Sequence, residues 1–146
     1  MTAREFLDRA SKLDQRINSK LEQVSALNDL ALKTTSTFSA MPHIPNRSHS
    51  GTADIIVKII DLQNEINSDV DELVDIKQEI MKVIKAVDDT DCQLLLEMRY
   101  LCGRSWDQIA VDMGYGLDNI YKIHRCALQL VEDVLKCVQQ NTVFST

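Results

Sequence analysis

Helix-breaking residues are scarce in this chain, which has two prolines and four glycines in 146 residues. Pro42, Pro45 and Gly51 sit in one short stretch, and Gly103, Gly114 and Gly116 in another. Residues 1–41 and 52–102 contain neither type, so two long segments lack the strongest chain punctuators. Aromatics make up 5%, low for a sandwich or barrel, whose strands favour them. No apolar run approaches the roughly 20 residues needed to span a bilayer. The N-terminal stretch MTAREFLDRASK is charged and has no apolar signal core. A protein of the cytoplasm, without membrane contact, is expected.

None of the four cysteines, Cys92, Cys102, Cys126 and Cys137, forms a C-x-x-C pair. Buried helical thiols are therefore expected rather than a zinc site or disulfides. The chain holds no Gly-rich phosphate loop and no nucleophile–base pair, so neither enzymatic activity nor a cofactor is expected.

Periodic apolar residues are what the chain does have. Thr2 and Glu5 form a capping box. Phe6, Ala10, Leu13, Ile17, Leu21, Val24, Leu27 and Ala31 then recur in steps of three or four, a helical and near-heptad repeat. Thirty such residues make a rod of about 45 Å. Residues 34–51, TTSTFSAMPHIPNRSHSG, lose the repeat and predict a loop, with His43 and His49 as solvated loop residues. A second rod begins near Thr52. Its seam runs through Ile59, Leu62, Ile66, Val70, Leu73, Ile76, Ile80, Ile84 and Val87, widened by Ile55, Ile56, Ile60, Val74, Met81 and Val83. The acidic run Asp69, Asp71, Glu72, Asp75 and Glu79 reads as a solvated helix face rather than a metal cluster.

These features predict an all-α chain. Residues 1–87 form a long antiparallel, coiled-coil-like helical hairpin with its loop at 34–51. The second rod's stripe is too broad for one neighbour. A second copy is expected to pack there, giving a homodimer held by Ile59, Ile66, Val70, Leu73 and Ile80.

Residues 88–140 form the second expected domain, of three helices. Asp91 heads the first, which ends near Leu101 with Gly103 as its stop. Ser105 and Gln108 make another capping box, S-x-x-Q, opening a short helix in which Ile109, Ala110 and Met113 face inward. Gly114 stands at the C-cap, and Gly116 precedes a longer helix with Ile120, Ile123, Ala127, Leu128 and Val131 on its apolar side. A small residue in one helix, Gly in the turn and an aliphatic early in the next is helix-turn-helix packing. The second of these helices would offer residues 117–125 to a DNA major groove. His124 falls on the inward side as a core histidine, and Trp106 as a lid over the three-helix core.

Arg99-Tyr100-Leu101, Trp106, Gln108-Ile109-Ala110, Met113-Gly114, Ile120-Tyr121-Lys122-Ile123 and Ala127-Leu128 together resemble region four of bacterial sigma factors over about a third of the chain. With its coiled N-terminal half, the chain resembles small phage-encoded ArpU-type late-gene transcription regulators. The run Tyr121, His124, Ala127, Leu128 fits that group. The resemblance implies a transcription regulator that binds double-stranded DNA and touches host RNA polymerase. Sigma factors usually carry Ser or Thr where Gly116 stands and basic residues where Leu117 and Tyr121 stand.

The DNA-binding residues expected are Arg104, Ser105, Asp118, Asn119, Tyr121, Lys122 and Arg125. Lys122 suits guanine, Asn119 adenine and Asp118 the cytosine amino group. Arg104, Ser105 and Arg125 suit phosphates.

Charge opposes easy DNA binding. The chain's formal net charge is −6, and residues 88–137 carry five basic side chains against nine acidic ones. DNA affinity comes largely from neutralised phosphates. An acidic helical module acting on RNA polymerase or another protein is one alternative. A DNA-packaging subunit of small-terminase type, which would assemble as a ring, is the other.

Overall fold

The computed structural model describes the backbone of residues 1–40 and 48–144 and the side chains of residues 1–33 and 51–141. Among the described residues five α-helices follow one another: α1 (Ala3–Ala40), α2 (Ser48–Lys85), α3 (Thr90–Leu96), α4 (Trp106–Met113) and α5 (Leu117–Phe144). A π-helical turn, Glu97–Leu101, continues α3. The described residues contain no strand, and the chain is all-α.

Residues 34–40 and 48–51, expected in the loop at 34–51, are helical instead, because α1 continues to Ala40 and α2 starts at Ser48. Ser and Thr cost a helix only a few tenths of a kcal/mol each, and no Gly or Pro interrupts residues 34–40. Pro42, His43 and Pro45 lie outside the described residues, as does the side chain of His49.

Two compact units divide the chain: Met1–Lys12 with Leu73–Thr146, and Leu13–Glu72. In the second unit, Leu13 and Ile17 of α1 and Ile66 of α2 are buried. Lys20 of α1 bonds Asp69 of α2 at 2.6 Å and lies 3.6 Å from Glu65. The hydrogen bond to Asp69 raises the Lys20 pKa.

The first unit begins with the Thr2–Glu5 capping box in full. The Glu5 amide donates to Thr2 Oγ1 at 3.2 Å, and the Thr2 amide to Glu5 Oε2 at 3.1 Å. Phe6, Leu7 and Ala10 of α1, Ile80, Val83 and Ile84 of α2, Cys92 and Leu96 of α3, Ala127 and Val131 of α5, and Val87 form one core. Each fully buried aliphatic there contributes about 1.5–3 kcal/mol relative to exposure. Leu73–Lys85 therefore share a unit with the C-terminal helices, where sequence placed the boundary at 87/88. The physical reason is that short helices leave an apolar face open, and Leu7, Ile80 and Ile84 close it.

The residues expected to hold a dimer fare unevenly. Ile66 and Ile80 are buried within the chain's own units, Ile59 and Leu73 are half-buried, and Val70 is exposed. Part of the seam is thus covered within the chain, Ile80 by Phe6, Leu7 and Ala10 of α1.

Asp89, not Asp91, caps α3. Its backbone is extended and its carboxylate accepts from the Cys92 amide at 2.9 Å, which holds the Asp89 pKa below its usual value. No described helix is long and apolar enough to cross a membrane.

Candidate nucleic-acid interface

A short helix and a tight turn position the N-terminus of α5. Ser105 has an extended backbone and its hydroxyl accepts from the Gln108 amide at 3.2 Å, so α4 is capped as the sequence predicts. The reciprocal half of the box is missing. The Gln108 side-chain amide turns instead to Asp112 Oδ1 at 2.9 Å.

At its other end, α4 closes on Gly114, whose φ of 72° and ψ of 29° lie in the left-handed region. The Tyr115 amide donates to the Ala110 carbonyl at 3.1 Å and the Gly114 amide to the Val111 carbonyl at 3.3 Å, a Schellman closure. The Ile120 amide reaches back to the Gly116 carbonyl at 3.0 Å, which makes Gly116 the first anchor of α5. Tyr115 donates its hydroxyl to Asp91 Oδ2 at 3.0 Å, pinning the turn to α3 and raising the phenol's pKa.

Beneath the turn, Leu95, Ile109, Ala110 and Ile120 form a second buried cluster, with Met98, Trp106, Met113 and Ile123 packed on it. The small side chain of Ala110 fits the close packing of α4 on α5. Trp106 is the lid the sequence predicts. Its ring meets His124 edge-on at 4.6 Å and Tyr121 edge-on at 5.8 Å, and the Arg99 guanidinium sits 4.4 Å above it. The same Arg99 donates to the Arg104 carbonyl at 3.0 Å, tying the segment before α4 to the π-helical turn. His124 is buried and bonds the Tyr100 hydroxyl at 2.7 Å, as expected for a core histidine.

The seven residues predicted to touch DNA divide by their surroundings. Asp118, Asn119, Tyr121, Lys122 and Arg125 are all exposed on the first turns of α5. Among the described residues neither Lys122 nor Arg125 enters an ion pair. Arg104 differs, because its guanidinium is bound to Asp112 at 2.8 Å. Ser105 spends an acceptor lone pair on the cap and keeps its hydroxyl proton to donate. Tyr121 leans its ring against Trp106 and is half tied to the core. Chemically, the surface offers two free cations, an amide, a carboxylate and a phenol on one helix.

Sequence reading missed Arg99, Tyr115 and Tyr100 as the supports of this surface. Arg99 reaches forward five residues, whereas Tyr115 and Tyr100 each span 24. No local motif encodes such reaches. Among the described residues no group of three or more His, Cys, Asp or Glu side chains is placed to hold a metal.

No curated protein and no solved structure matches the chain. A family pattern matches residues 33–132, which take in α2, α3, α4 and the first half of α5, and so cover the surface just described. The chain belongs to that family, described as a protein of unknown function, DUF1492.

Proposed function

We propose that the chain is a sequence-specific DNA-binding transcription regulator that reads the major groove with the first turns of α5. In this reading α4, the Gly114 turn and α5 are a helix-turn-helix, and Lys122, Asn119 and Asp118 meet base edges while Arg125, Ser105 and Arg104 meet phosphates. The likeness to sigma-factor region four and to phage ArpU-type regulators supports the same assignment and adds contact with host RNA polymerase. One observation carries it: Lys122 and Arg125 stand three residues apart on the exposed side of α5, and among the described residues neither enters an ion pair. Cations left unpaired beside a rigid, Gly-closed turn suit an anionic groove-shaped partner.

Binding of the full chain to labelled duplex DNA across about 50–200 mM salt tests the proposal. Affinity should fall steeply with salt, and Lys122→Ala should weaken the preferred sequence more than others.

An acidic protein-binding module is the second reading. It is favoured by the nine acidic against five basic side chains in residues 88–137 and by the neutralisation of Arg104. Charge reversal at Asp71 and Asp75 would then abolish function while Lys122→Ala left it intact.

A further inference from the structure

Helix α2 carries a second heptad seam beside the one buried within the chain. Ile59, Leu62 and Ile66, together with Asp69, which bonds Lys20, make up the first seam, on the side turned to α1. Ala53, Ile56, Ile60, Gln63, Asn67, Val70, Val74, Lys77 and Met81 form the second, in unbroken alternating steps of three and four. Its apolar members stay open: Ile56 is 48% exposed, Ile60 50%, Val70 39% and Val74 49%. A sustained 3–4 repeat of this kind is the pattern of a two-helix coiled-coil contact.

The order of residues along this seam is self-complementary. Turning the helix about a two-fold axis at position 65 places Ile60 against the partner's Val70, Ile56 against the partner's Val74, and Gln63 against the partner's Asn67. The same operation sets Lys77 over the partner's Ala53, where a long side chain meets a small one. Flanking Asp71 falls beside the partner's Val57, so no like charges are opposed along this edge. A parallel pairing instead brings Lys77 against the partner's Lys77 and gains nothing from the Gln–Asn match. We infer that this seam binds a second copy of the chain, antiparallel and two-fold symmetric about position 65, with the Gln63–Asn67 pairs fixing the register.

Self-complementarity is what an isologous interface requires. The contact from Ala53 to Lys77 is about 37 Å long and buries on the order of 1000 Å² in total, the size at which specific interfaces begin. This inference does not depend on DNA binding.

Sedimentation of the full chain, with helicity followed by circular dichroism, tests it. Wild type should run at twice the 16.6 kDa chain mass at tens of micromolar. Ile60→Glu alone and Val70→Lys alone should each give a monomer with unchanged helicity, because both side chains are exposed within the chain. Ile60→Glu combined with Val70→Lys should restore the dimer, because the antiparallel register brings the introduced carboxylate and ammonium together twice. A monomeric wild type, a ring or other assembly larger than two, single variants that remain dimeric, or a double variant that stays monomeric would each overturn the inference.

Discussion

Tyr100 and His124 share a 2.7 Å hydrogen bond with their rings stacked 24° apart at 5.9 Å, joining the π-helical turn to α5. His124 is 6% exposed. Burial first, and then the charges of Arg4 and Arg99, bring its pKa down to about 4, with Asp8 opposing the shift. Burial first, and then the Asp8 charge, push the Tyr100 phenol up to about 12, against Arg4 and Arg99. Both partners are therefore neutral at pH 7.

Acid should weaken this fold through His124. Its native pKa is lower than its unfolded value of 6.5, so between pH 6.5 and 4 the unfolded chain takes up a proton that the native chain refuses. The stability contribution is complete above pH 6.5 and falls by about 3 kcal/mol by pH 4. Denaturant titrations of wild type and His124→Asn across that window isolate it. The wild type should show the steeper loss, and equal slopes would contradict the assignment. Tyr100→Phe should cost about 1–3 kcal/mol at pH 7, because a buried ring nitrogen loses its partner.

The turn between α4 and α5 should tolerate change at Gly116 and resist it at Gly114. No atom would crowd a Cβ at either position, but Gly114 alone of the two has a left-handed φ. Gly114→Val should cost about 1–3 kcal/mol through backbone strain. Gly116→Ser should gain a few tenths of a kcal/mol as a better N-cap. Ala110→Leu should cost about 1–3 kcal/mol by overpacking the cluster of Leu95, Ile109 and Ile120. Thermal melts rank the three.

Local chemistry made much of this legible in the sequence. The Thr2–Glu5 box, the Ser105 cap and the left-handed Gly114 each depend on a residue type at a fixed spacing, and each stands where the sequence put it. The Gln108 side chain did not follow its motif because Asp112, one turn on, offers an exposed charged acceptor. The π-helical turn was not legible, since Glu97-Met98-Arg99-Tyr100-Leu101 reads as ordinary helix and the extra residue per turn is set by packing. The apolar character of the α2 seam was legible, but not how its cover is divided. Periodicity says that Ile66 and Ile80 are covered and is silent on whether the cover is α1 or a second chain. Of the surface on α5, the exposed side chains were legible, but the Arg104–Asp112 pair and the supports from Arg99 and Tyr115 were not.

On the proposed function, releasing Arg104 should strengthen DNA binding. Asp112 holds its guanidinium at 2.8 Å on the surface, a contact worth at most about 1 kcal/mol. Asp112→Asn removes the competing charge, so affinity for all DNA sequences should rise and the salt dependence should steepen by about one phosphate contact. Arg104→Ala should weaken all sequences alike and flatten that dependence. Filter or anisotropy titrations at several salt concentrations read both.

The proposed reading of DNA by α5 depends on Lys122. Its most direct test is a titration of wild type and Lys122→Ala against a panel of duplexes drawn from the DNA flanking the gene, at fixed salt. Lys122 lies outside the apolar side of α5, so the variant should fold as wild type does. If Lys122 reads a base, the variant loses about 1–3 kcal/mol on the preferred duplex and relaxes the preference at one base pair. Identical binding curves for the two proteins across the whole panel would contradict it and leave the acidic faces as the working surface.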